Sequence, residues 1–210
     1  VSRSAELLYS ELARFEELLE DLLEISRYDS GAMVMEAQPV DIVALTRQVV
    51  AMVEPMAMRE GSPITVHASP MIITEMDSRR VTRVLRNLLM NAVEHGQSAP
   101  IEVGFDHNDE VVAVWVRDHG IGLGPGQSEH VFERFWRADA ARVRTTGGTG
   151  LGLAIAREDA RLHGGRLEAA GSLGQGACFR LTLPRHSGAT VERLAVGDRP
   201  AEELQHWPLP

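Results

Sequence analysis

The chain has 210 residues, 44% hydrophobic and 24% charged, with a formal net charge of −9 at pH 7. That length holds one full domain with something smaller beside it. The acidic balance argues against nucleic acid or an anionic membrane as the main partner, so any bound polyanion must be held by local chemistry and a metal ion. A single cysteine, Cys178, excludes an internal disulfide and suits a reducing compartment. No run approaches 18 apolar residues and the first residues lack a signal-peptide layout, so the chain as it stands is expected to be soluble.

Residues 4–28 read as one long amphipathic helix. Leu7, Leu8, Leu12, Phe15, Leu18, Leu19, Leu22, Leu23 and Ile25 recur at intervals of three and four, and Glu6, Glu11, Glu16, Glu17, Glu20 and Glu24 take the other face. No helix adjacent in sequence covers that stripe, so it is expected to pack between chains. Ser30-Gly31 stops the helix. A short strand is expected over 32–38, then a helix to about residue 58 with Asp41 as its N-cap.

Two short strands follow, 64–68 and 71–75, separated by Ser69-Pro70. Asp77 can cap a long helix reaching about Glu94. Residues 101–105 and 111–117 alternate as a hairpin around His107-Asn108-Asp109. Residues 118–150 lack a clean period. Helix returns over 151–162, and strands at 166–170 and 177–183 close the pattern. From 185 to 210 the periodicity dies, which predicts a disordered or loosely packed tail. The fold class is α+β, a two-layer sandwich with helices on one face of a mixed sheet, preceded by a long N-terminal helix.

Three segments carry chemistry. Asn87 and Asn91 lie four apart in the helix opened by Asp77, so both amides share one face while Leu88 and Leu89 turn to the core. Asparagine is a mediocre helix former. The pair reads either as two solvent-facing polar residues or as a carbonyl oxygen offered to Mg²⁺, a hard cation that prefers oxygen ligands. Asp118 ends a strand and is followed by Gly120, Gly122 and Gly124. A plain turn fits, and so does a site where the carboxylate accepts from a ligand amine and the glycines admit close backbone approach. Finally, Gly147-Gly148-Thr149-Gly150-Leu151-Gly152 runs into a helix, presenting N–H groups and a positive dipole end to phosphate. It is neither a P-loop nor the dinucleotide fingerprint.

The order of these segments resembles the N, G1 and G2 boxes of sensor histidine kinases, with Phe132-Glu-Arg-Phe135-Trp136-Arg137 resembling the F box. Asp77 and Arg80 fit the lead-in, and Gly174-Gln-Gly176-Ala-Cys-Phe179 with Leu183-Pro184 fits the closing strand. The likeness covers roughly residues 4–184, and the stretch from Arg161 through Pro184 is most similar to actinobacterial members. It implies a Bergerat (GHKL) ATP-binding fold over 31–184, using ATP and Mg²⁺. In it Asn91 would be the Mg²⁺ ligand, and Asn87 would line the triphosphate pocket. Asp118 would accept from the adenine amino group, with Gly120, Gly122, Leu123 and Gly124 forming the near wall. Gly148, Thr149, Gly150, Leu151 and Gly152 would bend around the phosphates. The segment from Leu123 to Gly147 would be a mobile lid seated by Phe132 and Phe135, with Arg134, Arg137, Arg142 and Arg144 as candidate phosphate contacts. Asn87, His95 and Arg137 are the catalytic candidates.

Two departures stand out. Glu94 occupies a position where many relatives carry a basic residue. An acid near a triphosphate weakens binding unless Mg²⁺ or a salt-bridged arginine offsets it, so modest ATP affinity is expected. Members of this family also present a histidine followed by an acid and then Arg/Lys-Thr/Ser-Pro. None of the eight histidines is followed by that pattern; His119 and His163 read as structural. Residues 1–30 resemble the second helix of the dimerisation and phosphotransfer hairpin, which places the acceptor histidine upstream of Val1 and predicts no autophosphorylation by this chain alone. The resemblance further implies a homodimer through the N-terminal helix and a response regulator of the OmpR type as partner. It also implies a cytoplasmic location, with any membrane attachment through other segments. The competing readings are an ATPase of the gyrase, Hsp90 or MutL kind, an anti-sigma-factor serine kinase, and a nucleotide-binding module without turnover. The first of these places a glutamate where Asn87 stands.

Overall fold

A computed structural model describes residues 2–30, 33–137 and 149–191. In chain order it holds α1 (Ser2–Asp29), β1 (Gln38–Asp41), α2 (Ile42–Arg59), β2 (Ile64–Val66), β3 (Ile73–Met76), α3 (Ser78–His95), β4 (Ile101–His107) and β5 (Val111–Arg117). A single turn, α4 (Gln127–His130), then precedes α5 (Gly152–Leu162), β6 (Arg166–Gly171) and β7 (Ala177–Pro184). Five strands form one mixed sheet in the order β2-β4-β5-β7-β6, in which β2 runs parallel to β4 and the other neighbours are antiparallel. Helices α2, α3 and α5 pack on it and on each other, giving the expected two-layer α+β sandwich.

The core follows from patterning. On α3, Val81, Val84, Leu85, Leu88, Leu89, Ala92 and Val93 are buried, a stripe at three-and-four spacing. Its N-terminus is fixed by Asp77, whose carboxylate accepts from the main-chain N–H groups of Arg79 (3.1 Å) and Arg80 (3.4 Å). Strand β7 is buried throughout and β5 at all but its last residue. Trp115 helps cover the second face of the sheet: opposite it stands Gly104, where a Cβ would lie 2.1 Å from the indole.

Three features differ from expectation. The strand expected over 32–38 lies at 38–41, because its backbone pairs with β3 in a separate two-stranded sheet, Gln38 opposite Met76. Asp41 therefore both ends β1 and caps α2, accepting from Val43 (3.0 Å) and Ile72 (3.3 Å). Strands β2 and β3, adjacent in sequence, go to different sheets. And α1 is not left for other chains alone. It carries two stripes offset by one residue. Leu18, Asp21, Ile25 and Tyr28 turn towards the domain, while Leu12, Phe15, Leu19, Leu22 and Leu23 stay exposed.

Over 185–191, the first part of the tail expected to be disordered or loosely packed over 185–210, the chain is held by hydrogen bonds. The Arg185 guanidinium donates to the carbonyls of Ile73 and Asn108, Ser187 N–H donates to Glu75, and the buried Val191 donates its N–H to the Gly164 carbonyl at 2.7 Å. Residues 192–210 lie outside the described residues. Among the described residues no helix is long and apolar enough to cross a membrane.

Candidate functional site

Helix α3 places Asn87 and Asn91 at its half-buried edge. The Asn87 amide Nδ2 donates to the Gly152 carbonyl at 2.9 Å, drawing the first residue of α5 against α3. Gly152 permits this approach: a Cβ there would stand 3.4 Å from the Asn87 amide. No hydrogen bond joins the Asn91 amide to another described residue. His95, at the end of α3, contacts the next segment through its main-chain carbonyl, which accepts from Ile121 N–H at 3.2 Å.

Asp118 sits at the end of β5 and is 2% exposed. Its Oδ1 accepts from Gly120 N–H (2.9 Å) and Ala177 N–H (3.3 Å), and among the described residues no donor is bonded to Oδ2. Burial raises this carboxyl above its ordinary range, against the two N–H donors and the nearby His95 and His119, which lower it. The glycines let the loop thread between elements. A Cβ on Gly120 would fall 1.9 Å from the His95 carbonyl oxygen; Gly122, at φ +68°, would meet the Ser172 carbonyl at the same distance. Leu123 is buried, and Gly124 N–H donates to the Gln127 side chain at 2.7 Å.

One cluster beside this loop escapes sequence reasoning. Glu102 on β4 bonds His119 through one oxygen (2.9 Å) and His67 through the other (3.0 Å), and His67 tilts against the Trp115 ring. The histidine bonds, working against burial, hold the Glu102 carboxyl below its usual range. A glutamate in an alternating strand gives no signal of this; only the β2–β4 pairing assembles it.

The F-box residues separate. Phe132 is buried edge-on to Phe179, with the Arg157 guanidinium 5.6 Å above its face. Phe135, expected to seat the lid beside it, is instead 60% exposed at φ +63°, its N–H donating to the Gly150 carbonyl at 2.9 Å. Satisfying that main-chain bond turns the ring outward. Arg134, a candidate phosphate contact, makes a two-pronged ion pair with Asp29 of α1 (2.6 and 3.0 Å). Arg137 stands 3.8 Å from Glu94. Arg142, Arg144 and Gly148 lie outside the described residues.

Thr149 and Leu151, expected at the phosphates, face α1 here. The Thr149 hydroxyl donates to Asp21 (2.9 Å) and accepts from Leu151 N–H (3.2 Å). Leu151 is fully buried with Ile155 and Ile25, flanked by Leu18 and Tyr28, so that α1 and α5 together cover its apolar side chain. Above them lies a charged cluster. Asp159 of α5, fully buried, accepts from Arg83 Nε (2.7 Å) and Nη2 (2.8 Å), Arg80 Nη1 (3.1 Å) and the Tyr28 hydroxyl. Glu24 accepts from Arg83 (2.9 Å) and Arg80 (3.3 Å). Burial works against ionisation of Glu24, but the two arginines prevail and hold its carboxyl low. Burial and Asp159 together push the Tyr28 phenol well above its ordinary range, so it stays a donor.

Residues 76–187, which contain α3, the Asp118 loop and α5, match the family described as histidine kinase-, DNA gyrase B-, and HSP90-like ATPase. The chain belongs to that family. The sensor histidine kinase MtrB of Mycobacterium leprae is 52% identical over 190 residues, which make up 90% of this chain and 34% of that protein. Among solved structures, full-length ShkA in complex with AMPPNP superimposes with a TM-score of 0.75 at 30% identity, covering 90% of this chain and 40% of that one. The catalytic domain of the histidine kinase ThkA gives a TM-score of 0.63 at 25% identity, covering 72% of this chain and 97% of that one. The chain thus spans about a third of the length of the curated relatives it matches.

Proposed function

We propose that the chain is the ATP-binding catalytic part of a two-component sensor histidine kinase. It holds Mg–ATP between α3, the Asp118–Gly124 segment and the loop before α5, and passes the γ-phosphoryl group to a histidine on another helix. A response regulator of the OmpR type receives the group in turn. The observation that carries this reading is the placement of Asp118: buried, one oxygen bound by main-chain N–H groups and the other without a donor among the described residues, as an exocyclic amine requires of its acceptor. One related structure, full-length ShkA, was solved in complex with AMPPNP, which agrees.

Asn91 fits a divalent cation through its amide oxygen, being half-buried with no bonded partner among the described residues. The cation neutralises charge on the transferring phosphoryl group; the protein contributes positioning. Asn87 has no basic atom with which to activate water, and its amide is committed to Gly152, which favours transfer to an imidazole over hydrolysis. Helix α1 supports a dimeric kinase: its exposed stripe of Leu12, Phe15, Leu19, Leu22 and Leu23 suits a helix of a second chain. The remainder of such a protein would carry the acceptor histidine and the membrane attachment, leaving this part on the cytoplasmic side.

Incubation with ATP labelled at the γ-phosphate, with Mg²⁺, tests the reading when a longer chain carrying the preceding helix is supplied. Acid-labile label on the longer chain is expected. Steady phosphate release by this chain alone, without transfer, would replace the kinase with an ATPase.

A further inference from the structure

Helices α3 and α5 run side by side and are joined by polar contacts at three levels. At one end Asn87 Nδ2 donates to the Gly152 carbonyl. In the middle Arg80 and Arg83 meet Asp159. At the other end the main-chain N–H of Asp77, the cap of α3, donates to Nε2 of His163, the residue that follows α5, at 3.0 Å. The intervals match: ten residues separate 77 from 87 and eleven separate 152 from 163, about 15 and 16.5 Å of helix.

We infer that His163 is a positioning residue that sets the axial register of α5 against α3, and so the spacing between Asn87, Asn91 and the phosphate-facing loop. The inference rests on the ATP-binding reading above and deepens it. His163 is 5% exposed, and both ring nitrogens are engaged. Since Nε2 accepts from a main-chain N–H, Nδ1 carries the proton and donates it to the Asp159 carbonyl at 2.7 Å. The ring is therefore a rigid strut between two backbones. The arginines of the middle level ride on flexible stems and tolerate sliding, whereas the ring does not. Its own position is anchored beyond the helix. Gly164 takes φ +69°, and a Cβ there would strike the Ala189 carbonyl at 2.2 Å, so the segment 185–191 backs the turn that carries the ring.

A buried histidine that merely fills the core predicts lost stability and nothing else. A register device predicts that the binding-competent spacing becomes one of several, and apparent affinity falls with its population. The test compares the parent with His163→Phe, which keeps the shape without polar atoms, and His163→Gln, whose oxygen can reach the Asp77 N–H. Calorimetry with Mg–ATP is expected to show affinity at least about 5-fold weaker for His163→Phe, the scale of a lost buried hydrogen bond, and largely restored in His163→Gln. Spin labels on the exposed positions Arg86→Cys and Arg161→Cys should report a broadened distance distribution in His163→Phe alone. Unchanged affinity and distances in a folded His163→Phe would overturn the inference, as would a Gln variant no better than Phe. If His163→Phe does not fold, Asp77→Ala and Asp77→Pro decide: both lose the carboxylate cap, but only proline, compatible with the observed φ of −80°, loses the N–H. Proline must then bind Mg–ATP less tightly than alanine; equal binding rejects the strut. If the parent binds no nucleotide, the ATP reading fails, while the label distances still settle the register.

Discussion

Glu94 on α3 and Arg137 beyond the F-box phenylalanines stand 3.8 Å apart, each about three-quarters covered. The acid expected to weaken ATP binding thus has a cation beside it, which offsets part of its repulsion for a triphosphate. A remaining unit charge about 10 Å away contributes about 0.4 kcal/mol in water, or about 2-fold. Glu94→Gln should tighten Mg–ATP binding about 2- to 5-fold at low salt and leave the melting temperature within a degree or two, since a single ion pair as long as 3.8 Å and still touching water adds little stability. Titration calorimetry checks it, and an unchanged affinity removes Glu94 from the account.

Acid should weaken nucleotide binding through Asp118. Its carboxyl is raised by burial, so its folded-state pKa lies above the unfolded value. Protonation favours the folded chain, and this group's contribution to stability is present in acid and lost as pH rises through the folded pKa. Accepting from an amine needs the carboxylate, so affinity runs the other way and falls as pH drops through that raised pKa. Mg–ATP titrations from pH 7.5 down to pH 5 should lose affinity earlier than an ordinary aspartate would dictate. Asp118→Asn should bind weakly and without this pH dependence.

Asp159 holds two arginines and a phenol with a carboxylate that is fully buried. Asp159→Asn leaves those arginines short of counter-charge and should cost about 2–4 kcal/mol, lowering the melting temperature by about 5–12 °C. Tyr28→Phe removes one donor and keeps the charges, so about 1 kcal/mol is expected. Thermal melts of the two variants should fall in that order; equal melting temperatures would mean the cluster contributes no net stability.

The Asp29–Arg134 pair is exposed on both sides, and its effect should be on motion. Arg134→Gln is expected to speed amide hydrogen exchange across residues 131–137 without moving the melting temperature. About 0.5 M salt should reproduce the effect in the parent by screening. Exchange rates indifferent to both would show that the pair does not restrain this segment.

Legibility followed the range of the interactions. Asp77 as a cap, the buried face of α3, the β4–β5 hairpin and α5 all follow from caps and periodicity within a dozen residues, and each lies where the sequence places it. β1 was misplaced because its position depends on β3, more than thirty residues away, and β2 was not separable from β3 because its partner is β4. The same holds at the site. Asn87, Asp118 and the glycines were visible as residue types in order. That Thr149 and Leu151 would turn to α1, that Phe135 would face outward, and that His163 would join two helices are choices made by contacts between distant segments.

Helix α1 meets the sheet domain through side chains only; among the described residues no main-chain hydrogen bond links the two. Its own backbone is satisfied within the helix, so detaching it exposes carboxylates and aliphatic groups but strands no peptide unit. The helix is accordingly expected to open apart from the sheet domain. On heating or in mild denaturant, protease sites in α1 should open while the amides of β5 and β7 are still protected, and the sandwich should outlast the helix that leads into it.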